Sequence, residues 1–212
     1  MVDLLVARKA PVERIQLDDT SWVDVVRGFL PDATALFDRL VAERPWTQES
    51  AIREGRRILD PRLVAGMGNR ETEQHYPALH QARLVLEARY RVHFGGVALT
   101  LYRNGRDWMG FHRDDEMRYL DRTIITGLCL GDPRPLALKE GRGPGRQLIE
   151  MNGGDLYVMG GRCQADWLHG IPKLDESGPR ISCVWRWSSR TGPPWSSPTH
   201  FIPDAPYRRR DR

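Results

Sequence analysis

Lysine is scarce in this chain: Lys9, Lys139 and Lys173 stand against 29 arginines. Cysteine is scarce as well. Cys129, Cys163 and Cys183 are odd in number and lack metal-ligand spacing, which argues against a disulfide framework or a cysteine zinc site and fits a reducing cytosol. No apolar run approaches the length of a membrane helix. The N-terminus also lacks the basic-then-apolar pattern of a signal peptide. A cytoplasmic protein with no membrane association is therefore expected. Internal repeats are missing, and Gly141–Gly145 lacks the Lys-Ser/Thr of a P-loop, so a phosphate cradle there is not expected.

What is present suits a globular protein. The 212 residues (24.4 kDa) suffice for one domain with a sound core. Hydrophobic residues make up 40%, charged ones 28%, and mean hydropathy is −0.53. The net charge of +4 and pI of about 9.2 rest almost wholly on arginine, the better fork for phosphate, and a basic surface suits a polyanion. A GC-rich coding sequence would give the same composition, so both explanations stand.

Ala33, Leu36, Phe37, Leu40 and Val41 recur at helical spacing, with Asp32 placed to cap and Pro45 to stop. Residues 1–30 read as an entry segment with short apolar runs ahead of that helix. Trp46 to Asp60 reads as a charged strand or turn, and a second helix is expected over Pro77–Tyr90, with Leu79, Leu86 and Tyr90 inward. After Val92 the texture changes to short β-like runs: Val97–Tyr102, Thr123–Leu130, Leu136–Leu138, Gln147–Met151, Asp155–Met159 and Arg180–Trp187. Strands at this spacing predict a barrel or jelly roll.

Chemistry concentrates in Phe111-His-Arg-Asp-Asp-Glu116. In an extended strand His112 and Asp114 share a face, so an imidazole and a carboxylate can grip one metal ion. They would supply two ligands of the 2-His-1-carboxylate facial triad of non-haem Fe(II) enzymes. His169 is the candidate third. Arg180 and Arg186, six residues apart, also share a strand face. Singly, each of these residues is as readily a solvated pair, a structural histidine or a surface ion pair; their order along the chain is what carries weight.

With Leu99-Thr-Leu-Tyr102, Gly154-Asp-Leu-Tyr-Val-Met159 and Trp167-Leu-His169 added, the chain resembles the AlkB family of Fe(II)/2-oxoglutarate-dependent dioxygenases over roughly residues 55–187. The resemblance implies an α+β, mainly β fold: a double-stranded β-helix (jelly-roll) core with flanking N-terminal helices. It implies one dioxygenase domain over 1–212, comprising support and nucleotide-recognition lid (1–92), catalytic core (93–190) and a basic Pro/Ser-rich tail (191–212). It further implies Fe(II), 2-oxoglutarate and O2, with ascorbate as reductant in vitro. His112, Asp114 and His169 would then be metal ligands, Arg180 and Tyr102 would bind the distal carboxylate, and Arg186 would sit near the carboxylate at the metal. Thr100 and Ser182 stand where many relatives carry asparagine. Both are shorter but still hydrogen-bond, and they are expected to touch the co-substrate.

The implied activity is dealkylation of N-alkylated nucleobases such as 1-methyladenine and 3-methylcytosine. The partner would be DNA or RNA, single-stranded or with a flipped base, and the enzyme a monomer. Glu116 and Asp115 would favour a cationic base, Trp167 would wall the pocket, and Tyr76 would stack on the base; His75 and Met67 are further lid candidates. The alternatives are the same iron chemistry on a small molecule or protein side chain, and a non-catalytic nucleic-acid-binding protein.

Overall fold

The computed structural model describes residues 5–53, 55–114, 117, 120 and 122–188. The chain opens with a hairpin, β1 (Glu13–Gln16) and β2 (Ser21–Val26), followed by α1 (Ala33–Glu43). Next come a second hairpin, β3 (Ser50–Arg53) and β4 (Arg56–Leu59), then β5 (Leu63–Met67), α2 (Asn69–His75) and α3 (Pro77–Tyr90). The remainder is β6 (Val97–Tyr102), β7 (Met109–His112), β8 (Thr123–Gly131), β9 (Arg134–Glu140), β10 (Arg146–Met151) and β11 (Leu156–Gly161), then the single turn α4 (Cys163–Asp166), β12 (Trp167–Ile171) and β13 (Arg180–Ser188).

Two antiparallel sheets face each other. The larger runs β1-β2-β11-β8-β13-β6-β5 and the smaller β10-β9-β12-β7. From β6 onward the chain passes between sheets at every step except the β9–β10 hairpin, which is the winding of a double-stranded β-helix. The turn after β8 needs a left-handed residue, which Gly131 supplies at φ +82°.

Period-two alternation divides the larger sheet's side chains between two cores. On one face Leu99, Leu128, Leu156, Ile181 and Trp185 join Leu36 and Leu40 of α1 and Leu79 and Leu86 of α3. Each such side chain contributes roughly 1.5–3 kcal/mol on burial. On the other face Val23, Val25, Ile125, Cys129, Tyr157 and Met159 meet Leu136, Leu138, Ile149 and Trp167 of the smaller sheet. The active-site pocket opens within this second layer.

Both expected helices form, α3 with its expected bounds and α1 through Glu43. Asp32 occupies the N-cap position of α1 but makes no side-chain cap bond, and Val41, expected on the inward stripe, is exposed. The entry segment is corrected more substantially. Ser21–Val26 is not a lead-in to the helix but a strand inside the larger sheet, paired with β11 from Val26↔Leu156 to Ser21↔Gly161. Asp24 obscured it. A buried carboxylate breaks the apolar run, and it is tolerated because Arg14 Nε (2.6 Å) and the Tyr90 hydroxyl (2.9 Å) both donate to it. No helix among the described residues is long and apolar enough to cross a membrane.

Candidate active site

The site is assembled from the ends of short strands. In antiparallel register His112 on β7 lies opposite His169 on β12, with ring centroids 4.3 Å apart. β7 ends at His112, so Asp114 is not in a strand as the H-x-D spacing predicts; two bonds from elsewhere hold it. Its backbone N–H donates to Gln164 Oε1 at 2.9 Å, and its Oδ2 accepts from Arg186 Nε at 2.7 Å. One potential ligand atom from each of His112, Asp114 and His169 falls within 4.8 Å of the others.

The donor atoms suit a cation. His112 Nδ1 lies 2.9 Å from the Gly110 carbonyl, which only accepts, so Nδ1 carries a proton and leaves Nε2, 3.5 Å from Asp114 Oδ1, as the nitrogen available to a metal. Burial pulls the His112 pKa down, but the hydrogen bond and charge of Asp114 outweigh it and leave the value raised. Burial pushes His169 down to about 3, with Asp114 opposing only in part, so this imidazole is neutral at neutral pH. Its Nδ1 is buried without a hydrogen-bond partner. Burial works against ionisation of Asp114, yet Arg186 and both histidines hold its carboxyl far below the usual range. Two imidazoles, His169 already neutral and His112 able to yield its proton to a cation, and one carboxylate form a donor set that fits Fe(II).

Arg180 is fully buried. Its Nη2 contacts Cys129 Sγ at 2.9 Å, while Nε and Nη1 have no hydrogen-bond partner. Among the described residues no carboxylate pairs with it. A buried guanidinium with donors unmet is costly on its own and fits the far carboxylate of a dicarboxylate ligand. Tyr102 lies opposite Arg180, and Thr100 opposite Ser182, on paired strands. Thr100, Tyr102 and Ser182 line one pocket with His112, Asp114, His169 and Arg186, and the buried Ser182 hydroxyl is also unpartnered. Arg134 flanks the Tyr102 ring at 5.3 Å; its guanidinium donates to the carbonyls of Asn104 (3.1 Å) and Asp107 (2.9 Å).

Three expected substrate contacts lie elsewhere. Tyr76 is only 3% exposed and packs in the helix-side core, its hydroxyl donating to Glu43 at 2.8 Å and its ring under Arg39; it cannot stack on a base in this pocket. Met67 is buried in the same core. Trp167 does share a strand face with His169, but its indole N–H donates to Asp18 at 2.6 Å and its ring belongs to the inter-sheet core. The pocket extends from His169 toward Ile171 instead. Burial opposes ionisation of Asp18, but this bond and those from Thr20 and Ser21 hold it at about 2. Asp115 and Glu116 lie outside the described residues, as does the tail from 191 onward. Sequence reasoning did not find Gln164, Arg134 or Tyr157. Only the inward phase of β11, shared with Met159, could have pointed to Tyr157.

Comparison with known proteins agrees with this geometry. The family model described as the 2OG-Fe(II) oxygenase superfamily matches residues 23–200. Alpha-ketoglutarate-dependent dioxygenase alkB homolog 3 of Bos taurus is 31% identical over 205 residues, covering 85% of this chain and 72% of the relative. DNA oxidative demethylase ALKBH2 of Arabidopsis thaliana is 26% identical, covering 81% and 68%. Among solved structures, a Trichoplax adhaerens prolyl hydroxylase bound to a peptide fragment superposes with a TM-score of 0.58 at 10% identity, over 77% of this chain and 82% of that one, a likeness of fold. The chain belongs to the AlkB family of Fe(II)/2-oxoglutarate-dependent dioxygenases, within the 2OG-Fe(II) oxygenase superfamily.

Proposed function

We propose that the chain removes alkyl groups oxidatively from N-alkylated nucleobases, such as 1-methyladenine and 3-methylcytosine, in DNA or RNA. The observation that carries this reading is the His112–Asp114–His169 cluster sharing a pocket with the orphaned donors beside it. The alkB homolog 3 and DNA oxidative demethylase relatives supply the substrate class. When bound, Fe(II) with 2-oxoglutarate and O2 supplies the oxidation: the N-methyl carbon gains a hydroxyl, the hemiaminal releases formaldehyde, and succinate and CO2 form.

The chain's own residues do the rest. His112, Asp114 and His169 hold the metal, and Arg186 fixes the Asp114 carboxylate. Arg180 and Tyr102 take the far carboxylate of the co-substrate, with Thr100 and Ser182 offering hydroxyls beside it. Glu116 and Asp115 favour the cationic base. A base must leave its stack to enter, which suits single-stranded or flipped substrate. The arginine-rich composition suits a polyanion. Three free, buried cysteines are consistent with a cytoplasmic setting. We read 1–212 as one catalytic domain acting as a monomer, with the tail appended.

Mass spectrometry of a single-stranded oligonucleotide carrying 1-methyladenine or 3-methylcytosine tests the reading, with Fe(II), 2-oxoglutarate and ascorbate present. Loss of one methyl by wild type but not by His112→Ala is expected. Succinate accumulation without methyl loss would move the substrate to a small molecule or protein side chain. Neither product from folded, iron-loaded protein would end the dioxygenase reading of this pocket.

A further inference from the structure

Tyr157 on β11 lies directly opposite Gly127 on β8. Directly opposed residues on neighbouring strands project side chains to the same face, their Cβ atoms roughly 5 Å apart. Gly127 has no Cβ, and the Tyr157 ring folds into the space this leaves. A Cβ built on Gly127 would overlap the ring at Cζ and Cε1 and the hydroxyl itself. The phenol therefore rests over the β8 backbone between Ile125 and Cys129, which share that face with Gly127. Ile125 lines the active-site pocket, and Cys129 touches Arg180.

Tyr157 lines the active-site pocket with Tyr102, Ile125 and Asp114. The phenol is within electrostatic reach of Cys129, Arg180, Tyr102 and Asp114. Burial pushes its pKa far up, so the hydroxyl stays protonated and is a neutral donor. Among the described residues it makes no hydrogen bond. A neutral donor that lines the pocket with the metal-ligand cluster, one β8 step from the cysteine that touches the buried guanidinium, is placed to meet a ligand reaching from one to the other.

We propose that Tyr157, seated by Gly127, sets the length of 2-oxo dicarboxylate that the pocket accepts and donates a hydrogen bond to it. This rests on reading the pocket as the 2-oxoglutarate site. Gly127 is then a specificity position through Tyr157: any side chain there drives the ring into the space the co-substrate needs.

The test is calorimetric titration of the full chain, loaded with Mn(II) under anaerobic conditions, with 2-oxoglutarate and with 2-oxoadipate, which is one methylene longer. Tyr157→Phe should weaken 2-oxoglutarate about five- to tenfold, the scale of one lost hydrogen bond to a charged acceptor. Tyr157→Leu should improve the ratio for 2-oxoadipate over 2-oxoglutarate by about tenfold, in line with one buried methylene. Gly127→Ala should lose 2-oxoglutarate by more than about tenfold, and Gly127→Ala/Tyr157→Leu should recover most of it. That recovery also answers the case in which the single Gly127 variant folds poorly. Wild-type affinities for both acids in Tyr157→Phe and Tyr157→Leu would overturn the proposal while leaving the pocket intact. No binding of either acid by wild type would instead sink the reading of the pocket, and this inference with it.

Discussion

On β13, Ile181, Cys183 and Trp185 face the helices, while Arg180, Ser182 and Arg186 face the smaller sheet. The same alternation divides β6 into Leu99 and Leu101 on one side and Thr100 and Tyr102 on the other. The helix-side core is built mainly from apolar side chains. The inter-sheet side carries two guanidinium nitrogens of Arg180, a serine hydroxyl and an imidazole nitrogen without hydrogen-bond partners. One set of strands thus serves stability on one face and binding on the other. A substitution should act mainly on folding or mainly on ligand affinity, according to whether its position is odd or even along the strand.

The largest contrast is expected on β13 itself. Trp185→Ala should cost about 3–5 kcal/mol of stability, the scale for an excavated core aromatic, measured by chemical denaturation. Arg180→Met, one face over, should leave stability unchanged or raise it by about 1 kcal/mol, because it removes an unpaired buried charge. It should also weaken 2-oxoglutarate by more than about a hundredfold. If Arg180→Met instead unfolded the chain, the division of labour between the faces would be broken.

Metal withdrawal sharpens the comparison next. A chelator should lower stability by the linkage free energy, about 3 kcal/mol when the metal is at a hundred times its Kd, read as a fall in melting temperature. Trp185→Ala should show the same difference with and without chelator. Gln164→Ala is expected to weaken metal binding about tenfold, since it frees the Asp114 N–H from its anchor, measured by competition with a chromogenic chelator. Gln164→Glu keeps the acceptor and should retain more of the affinity.

The smallest effect concerns Asp18, which ties Trp167 to the first hairpin turn. Its folded pKa of about 2 lies below the ordinary 3.8. The carboxylate therefore contributes stability above the unfolded value and loses it as pH falls through about 2. Asp18→Asn should cost about 1–2 kcal/mol at neutral pH, and the gap to wild type should close in acid. A gap that persisted at low pH would mean that Asp18 acts through shape rather than charge.

The same alternation explains what the sequence made legible. Strands β6, β8 and β13 stand out because β-branched and apolar residues dominate at least one face of each between turn residues, and α3 because Pro77 opens it. His112, Asp114, His169, Arg180 and Arg186 could be picked out because their spacing and order are carried along the chain; the fold brings the first three and Arg186 to one pocket, with Arg180 buried against Cys129. β2 was hidden by Asp24, whose cost is met only by Arg14 and Tyr90 far along the chain. Tyr76 and Trp167 were misplaced for a related reason. An aromatic near a site motif looks identical whether it faces ligand or core, and its partners, Glu43 and Asp18, lie 33 and 149 residues away in sequence. Gln164 and Gly127 have no local signature, since each matters only for what lies across from it in space.

The most direct test of the central claim, that the inter-sheet face holds one metal and one 2-oxo dicarboxylate side by side, is anaerobic titration of 2-oxoglutarate into Mn(II)-loaded and metal-stripped protein, with Arg180→Met alongside. One equivalent bound by the loaded wild type, at least about tenfold weaker binding without metal, and none detected in Arg180→Met is the expected result. Equal binding in all three would contradict the claim, because the dicarboxylate would then be held neither at the histidine–aspartate cluster nor at the buried guanidinium.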